Sequence, residues 1–296
     1  MPHPVIFDRK LLRARRARAG GRDPATFLIE RAADDLAGRL SAILRKFDIA
    51  ADLGTPTDAV RVALAGSVGA IVAVDPVVAH LKGARLAVAA DEEALPFRDG
   101  SLDLVVSALA LQFVNDLPGT LIQIRRALRP DGLLLAAMIG GDSLTELREA
   151  FAQAEAEVDG GVSPRVAPFA DLRDIGALLQ RAGFALPVTD VDRVTVRYAS
   201  PLALMHDLRS MGAANALTER RRAPLRRATL RRLMEIYAER FSDPDGRVRA
   251  TFEIVWLSGW APHESQQKPL APGSAKTRLA DALRTREIPA GEKAGN

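Results

Sequence analysis

The feature that most constrains this chain is a series of short, nearly continuous apolar runs, each separated from the next by a stretch of helical character. They lie at residues 48–53, 70–75, 85–89, 102–107 and 133–138. A strand with one wet face alternates apolar and polar residues, whereas a strand covered on both faces reads as an unbroken apolar run. Strands interleaved with helices imply parallel neighbours joined by crossovers, which are almost always right-handed. The expected fold class is therefore α/β, a parallel sheet with helices on both faces.

The spacing predicts the surrounding helices. Phe27, Leu28, Arg31, Ala32, Leu36 and Leu40 recur at three- and four-residue intervals over 25–46, behind a cap at Asp23 and a first-turn proline at Pro24. Leu121, Ile124 and Leu128 mark a crossover helix, after which Arg129-Pro130-Asp131-Gly132 launches the fifth strand. Ser143 and Glu146 have the spacing of a capping box for a helix running to Glu157. Gly160-Gly161-Val162-Ser163-Pro164 reads as a loop, and a helix over 168–183 ends at Gly183. Residues 188–198 and 250–260 read as two late strands, each with one solvated face. Between them, helices over 201–211 and 218–241 form an insertion closed by the turn Asp243-Pro244-Asp245-Gly246. The expected division is a basic arm and helix over 1–46, a sheet domain over 47–261 with the insertion at 199–247, and a poorly ordered tail over 262–296.

Charge and composition narrow the function classes. The 296 residues carry 41 Lys and Arg against 37 Asp and Glu, a formal charge of +4, and no cysteine. That excludes disulfides, a cysteine nucleophile and cysteine-ligated metal. The longest strongly apolar stretch, 62–74, is shorter than the ~18 residues a spanning helix needs. The amino terminus lacks a signal-peptide apolar run, so the expected location is the cytoplasm of a bacterium. Seven basic residues fall within 9–22 and seven more within 220–232. Aromatic residues make up 5% of the chain and are not interleaved with these clusters, which argues against nucleic acid. The clusters read as solvated helix faces or as a grip on an acidic protein or a membrane-associated assembly.

In an open parallel sheet, ligands bind beyond the carboxyl ends of the strands, where the strand order reverses. Asp52 and Gly54 end the first run, Asp75 the second, Asp91 and Glu92 follow the third, and Ser107 ends the fourth. A carboxylate at the end of a second strand suits two ribose hydroxyls, although an aspartate before Pro76 equally suits a turn. Of the remaining conspicuous residues, His206 reads as a partly buried structural histidine. His3, His80 and His263 have no metal spacing. Trp256 and Trp260 read as core, and Glu155 and Glu157 as solvated.

These residues carry a family resemblance. Asp52-Leu53-Gly54, Val74-Asp75, the run Asp91-Glu92-Glu93-Ala94-Leu95-Pro96-Phe97, Leu102-Asp103-Leu104 and Arg129-Pro130-Asp131-Gly132 resemble class I S-adenosylmethionine-dependent methyltransferases of the type 11 group. Phe7-Asp8-Arg9, Gln112-Phe113-Val114-Asn115-Asp116, Gly140-Gly141-Asp142-Ser143, Arg181-Ala182-Gly183-Phe184 and His263-Glu264-Ser265-Gln266 resemble, more narrowly, the mitochondrial complex I assembly factor 5 family and its bacterial relatives. The resemblance implies a Rossmann-like, seven-stranded sheet binding S-adenosylmethionine. It implies ribose on Asp75, adenine beside Asp91 and Glu92, and the methionine end near Asp52, Gly54 and Ser107. It also implies a protein substrate, a complex I subunit, with peripheral membrane contact through that partner. Arginine hydroxylation, methyl transfer to a carrier-bound carboxylate or a small molecule, and assembly without catalysis all remain open, and no catalytic residue is named. Pro56 and Asp58 stand where the resemblance expects glycine; proline removes an amide donor and Asp58 brings negative charge near the cofactor carboxylate.

Overall fold

The computed structural model describes residues 5–19, 24–267, 273–274 and 276–286. Seven strands form one sheet: β1 (Phe47–Leu53), β2 (Val68–Val74), β3 (Leu86–Val88), β4 (Leu102–Ala108), β5 (Leu128–Ile139), β6 (Ala185–Tyr198) and β7 (Val248–Trp260). Their order is β3-β2-β1-β4-β5-β7-β6, with β1 to β5 parallel and β7 antiparallel to both of its neighbours. The chain leaves β1 toward β2 on one side and meets β4 on the other, so the order reverses between β1 and β4.

The helices are α1 (Arg9–Ala19), α2 (Phe27–Ser41), α3 (Ala59–Ala63), α4 (Leu117–Ala127), α5 (Thr145–Asp159), α6 (Leu172–Arg181), α7 (Pro201–Ser210) and α8 (Arg227–Phe241). They cover the sheet in two layers. On one face Leu36 of α2, Leu147 of α5, Leu204 of α7 and Leu233 and Tyr237 of α8 pack on Leu104, Leu135, Phe252 and Trp256. On the other, Leu121 and Ile124 of α4 and Ile175 and Leu179 of α6 pack on Leu53, Val105, Leu134 and Leu257. Every β4 residue is buried, which is why that strand reads as a nearly continuous apolar run broken only by Asp103 and Ser107.

Several local expectations change. The run 250–260 belongs to β7, which lies between β5 and β6 and is covered on both faces rather than half-solvated. Its Glu253 is tolerated because Arg193 lies 3.3 Å away and Ser143 bonds its backbone. Ser143 is thus no helix cap. Its Oγ accepts from Glu253 N at 2.8 Å, while Glu146 accepts from Thr251 N at 3.1 Å, so both stitch the start of α5 to β7. The second insertion helix begins at Arg227 rather than Thr218, since Pro224 cannot donate in a helix interior. The turn Arg129-Pro130-Asp131-Gly132 is absorbed into β5 as a bulge, where the register with β4 shifts between Leu102 and Leu104. Helix α2 starts after Thr26, and the expected cap Asp23 lies outside the described residues.

Glu155 is not solvated either: its side chain is enclosed and accepts from Arg165 Nε at 2.7 Å and Ser163 N at 2.7 Å. Burial opposes its ionisation, but these donors outweigh it and hold its pKa low. Trp256 is core, with the Arg39 guanidinium 4.5 Å above its ring. The chain divides into two compact units, residues 1–262 and 263–296. In the second, the described part includes a short helix, Leu279–Ala282; residues 268–272, 275 and 287–296 lie outside the described residues. No described helix is long and apolar enough to cross a membrane.

Candidate functional site

The strand reversal places the ends of β1 and β4 side by side, and the first-strand residues gather there. Asp52 is buried; Thr55 Oγ1 donates to its Oδ1 at 2.5 Å and Arg61 Nη1 to its Oδ2 at 2.9 Å. Burial pushes its carboxyl up to about 6, against the pull of Thr55 and Arg61. Gly54 follows with φ +70, its N–H donating to Val74 O at 2.7 Å. A β-carbon there would sit 2.7 Å from both Ala110 Cβ and Glu92 Oε1, so glycine is required by conformation and by space. Ser107 is fully buried and its Oγ donates to Leu53 O at 2.8 Å, clipping β4 to β1.

Asp75 ends β2. Its Oδ1 accepts from Val77 N at 2.6 Å and its Oδ2 lies 3.1 Å from His80 Nδ1, so the turn it forms engages both oxygens. Asp91 and Glu92 follow β3, and the amino-terminal arm covers them. Arg9 Nη2 bonds Asp91 Oδ1 at 2.6 Å and also pairs with Glu92; Arg13 pairs with Asp91; Arg16 Nη1 lies 3.5 Å from Glu92. Although burial pushes the Asp91 carboxyl up, the Glu93 N–H and the guanidiniums of Arg9 and Arg13 hold it below its usual range. The arm is fastened by Asn115, whose Oδ1 accepts from Ile6 N at 2.9 Å and Phe7 N at 2.8 Å. Phe7 also meets Phe113 edge-on at 5.7 Å.

The structure thus brings Asp52, Gly54, Glu92 and Ser107 into one cluster, with Asp91 on its rim and Asp75 at the neighbouring strand end. What sequence reasoning missed is the arm. Arg9, Arg13 and Arg16 recur at helical spacing, and Phe7-Asp8-Arg9 stood out as a motif, but nothing in the sequence links them to Asp91 and Glu92. The second cluster is likewise engaged: Arg220 with Asp8, Arg221 and Arg226 with Asp159, and Arg232 with Glu157.

Beside the cluster opens a cavity of about 280 Å³, lined by Pro56, Leu109 and Gln112 from the strand ends and by Leu28, Phe151, Met205 and Phe252 among the apolar groups opposite. Gln112 is buried, its Nε2 donating to Leu109 O at 2.6 Å while its Oε1 has no partner. Pro56 faces this chamber, whereas Asp58 is exposed just before α3 and is absent from the lining, so its charge does not enter. His206 is exposed rather than partly buried, at the edge of a second cavity. Among the described residues no cluster of three or more His, Asp or Glu could hold a metal ion.

A family model described as a methyltransferase domain matches residues 51–136. The mitochondrial arginine-hydroxylase NDUFAF5 of mouse is 38% identical over 298 residues, taking in 97% of this chain and 87% of the mouse protein. The chain belongs to the NDUFAF5 family. The zebrafish member is 44% identical over 194 residues, 66% of this chain, and there the alignment takes in 60% of that protein's length. A malonyl-[acyl-carrier protein] O-methyltransferase of Laribacter hongkongensis is 42% identical over 186 residues, 63% of this chain and 60% of that protein. Among solved structures, the YcgJ protein from Bacillus subtilis superposes with a TM-score of 0.52 at 14% identity, covering 77% of this chain and 98% of that one. Together these establish a class I methyltransferase fold within the NDUFAF5 family.

Proposed function

We propose that the chain binds S-adenosylmethionine and acts on a protein, a subunit of respiratory complex I, in the assembly of that complex. The observation that supports this most is the extent of kinship. The likeness to mouse NDUFAF5 spans 97% of the chain and so includes the arm and the insertion that frame the chamber, not only residues 51–136. The carrier-protein methyltransferase shares 63% of the chain and is the weaker guide. In this reading the protein works in a bacterial cytoplasm and meets the membrane only through its partner.

As hydrogen-bond acceptors, the carboxylates suit the hydroxyl and amine donors of S-adenosylmethionine. Asp75 would take the ribose hydroxyls, Asp91 and Glu92 would stand beside the adenine, and Asp52, Gly54 and Ser107 would frame the methionine end. Bound there, the cofactor would supply a methyl group on a sulfonium. Transfer of a methyl depends mainly on alignment, which is why no base is assigned. The chain's own part is positional: Ser107 holds the ends of β1 and β4 together, Arg9 neutralises Asp91 and Glu92, and Pro56 presents the loop to the apolar chamber where an acceptor side chain would enter.

One observation favours a second reading, assembly without catalysis. Asp75, Asp91 and Glu92 already have partners within the chain, so a cofactor must displace or share them. Calorimetric titration separates the two. Saturable heat with S-adenosylmethionine or its demethylated product at micromolar concentration supports the first. No heat in the native chain, with binding restored by P56G/D58G, supports the second. Co-purification tests the partner: recovery of no complex I subunit would count against both.

A further inference from the structure

A second cavity of about 420 Å³ lies between α1 and α7, and among the described residues its polar lining is Arg15, Arg18, His206, Arg209 and Ser210. Helix geometry explains the division of charge along α1. Arg9, Arg13 and Arg16 share one face and pair with Asp91 and Glu92, while Arg15 and Arg18 project from the opposite side. Among the described residues no acid pairs with Arg15, Arg18 or Arg209; Arg15 instead donates to the Asn215 carbonyl and Arg18 Nε to Ala14 O at 3.0 Å. The acids nearest in sequence form no ion pair with the three arginines. Asp8 is 3.2 Å from Arg220, and no described ion pair joins Asp207 to Arg15, Arg18 or Arg209. Burial and the neighbouring Arg220, Arg18 and Arg209 lower the Arg15 pKa against the weaker opposing pull of Asp8, the direction expected where cations outnumber the acids near them.

Arg209 and Ala214 line this cavity and the apolar chamber alike, so a cationic compartment adjoins an apolar one. Three guanidiniums around one void match a dianionic phosphate better than a single carboxylate, because each fork can grip two oxygens. The chamber next to it offers Leu28, Phe113, Phe151, Met205 and Leu208 to a hydrocarbon. We propose that the two cavities together bind one phosphate-ester amphiphile, with its phosphate among Arg15, Arg18 and Arg209 and its apolar chain in the chamber. The ester's source is either a lipid drawn singly from a bilayer or a soluble phosphorylated chain. The proposal rests on the geometry of the cavities and not on the methyl-donor reading, and the hydrocarbon would take the chamber in place of the acceptor side chain of that reading.

The test uses the full chain without S-adenosylmethionine and monomeric dodecyl phosphate as probe, titrated calorimetrically. Inorganic phosphate and a dodecyl chain with a neutral sugar head serve as the half-ligands. The expected result is one-to-one binding of dodecyl phosphate at least roughly tenfold tighter than either half-ligand, with affinity falling as salt rises. R18Q/R209Q alters exposed residues and should lose roughly tenfold or more for dodecyl phosphate while leaving the neutral amphiphile unchanged. Ala214→Trp, at the junction of the cavities, should reduce dodecyl phosphate to the affinity of inorganic phosphate. Equal binding of dodecyl phosphate and inorganic phosphate, or indifference to both variants, would overturn the proposal. So would binding to phosphatidate vesicles with none to the monomeric ester, since that indicates surface attraction. If the monomeric ester binds, retention of lipid phosphate after purification assigns the source to lipid, and its absence assigns it to a soluble ester.

Discussion

Two clusters of seven basic residues each, one on the amino-terminal arm and one in the insertion, differ in how far their ion pairs are shielded from water. Arg9 and Arg16 of α1 lie at 12% and 6% side-chain exposure against Glu92 at 1%, in a closed wall beside the ends of β1 and β3. Arg231 and Arg232 of α8 pair with Glu235 and Glu157 at the surface, where water competes for every bond. The same residue type in similar density therefore carries different energetic weight, although Arg221 and Arg226 of the second cluster also reach a shielded carboxylate, Asp159. A buried charge left alone is costly, whereas an exposed pair gains little beyond what solvent already offers. The lesson is that the arm is a part of the candidate site, although the charge pattern alone reads as a solvated face or an outward grip.

The largest effect should come from breaking the buried half of this comparison. Arg9→Ala leaves Glu92 enclosed with only the distant Arg16, and should destabilise the protein by about 3–5 kcal/mol in urea unfolding. A loss no greater than that of a surface arginine would show that the wall is wetter than its exposure indicates. A further test concerns Asp52, a buried acid that the arm does not reach. Its folded pKa of about 6 lies above the ordinary 3.8, so the stability it contributes is complete below pH 3.8 and is lost as pH rises through 6. The whole span amounts to about 3 kcal/mol. Asp52→Asn should flatten the stability profile across that window, as followed by denaturant midpoints at successive pH values.

Gly54→Ala sharpens the comparison at shorter range, because the new methyl would press on the Glu92 carboxylate that the arm neutralises. A cost of about 1–3 kcal/mol is expected, and the melting temperature should fall accordingly. Arg232→Ala is the control from the exposed cluster and should move the urea midpoint least of all. Added salt should shrink its effect further, and leave that of Arg9→Ala nearly intact.

Strands β1, β4 and β5 were legible because burial on both faces leaves little polar alternation to interpret, while β3, an edge strand with Leu86 exposed, keeps an apolar run without that burial; all five parallel strands lie where the apolar runs place them. Strand β7 was legible in position but not in environment. Glu253 resembles a wet-face residue, and only the flanking β5 and β6, with Arg193 and Ser143 on Glu253, reveal that the strand is central there. Glu155 was misread for the same reason, since its partners Ser163 and Arg165 lie across a glycine loop whose path the sequence does not specify. The six candidate site residues were legible as strand-end positions. Their hydrogen-bond partners were not, because His80, Arg61 and the arm reach them through turns and tertiary packing.

From the sequence alone follow the parallel sheet, the acidic residues at its carboxyl edge and the family, since each depends on local pattern and motif. Tertiary structure alone decided which charges are buried. Ionisation energetics depend on what stands within a few ångströms, and residues 9 and 92, eighty-three apart in the chain, become one ion pair only when α1 closes over the loop after β3.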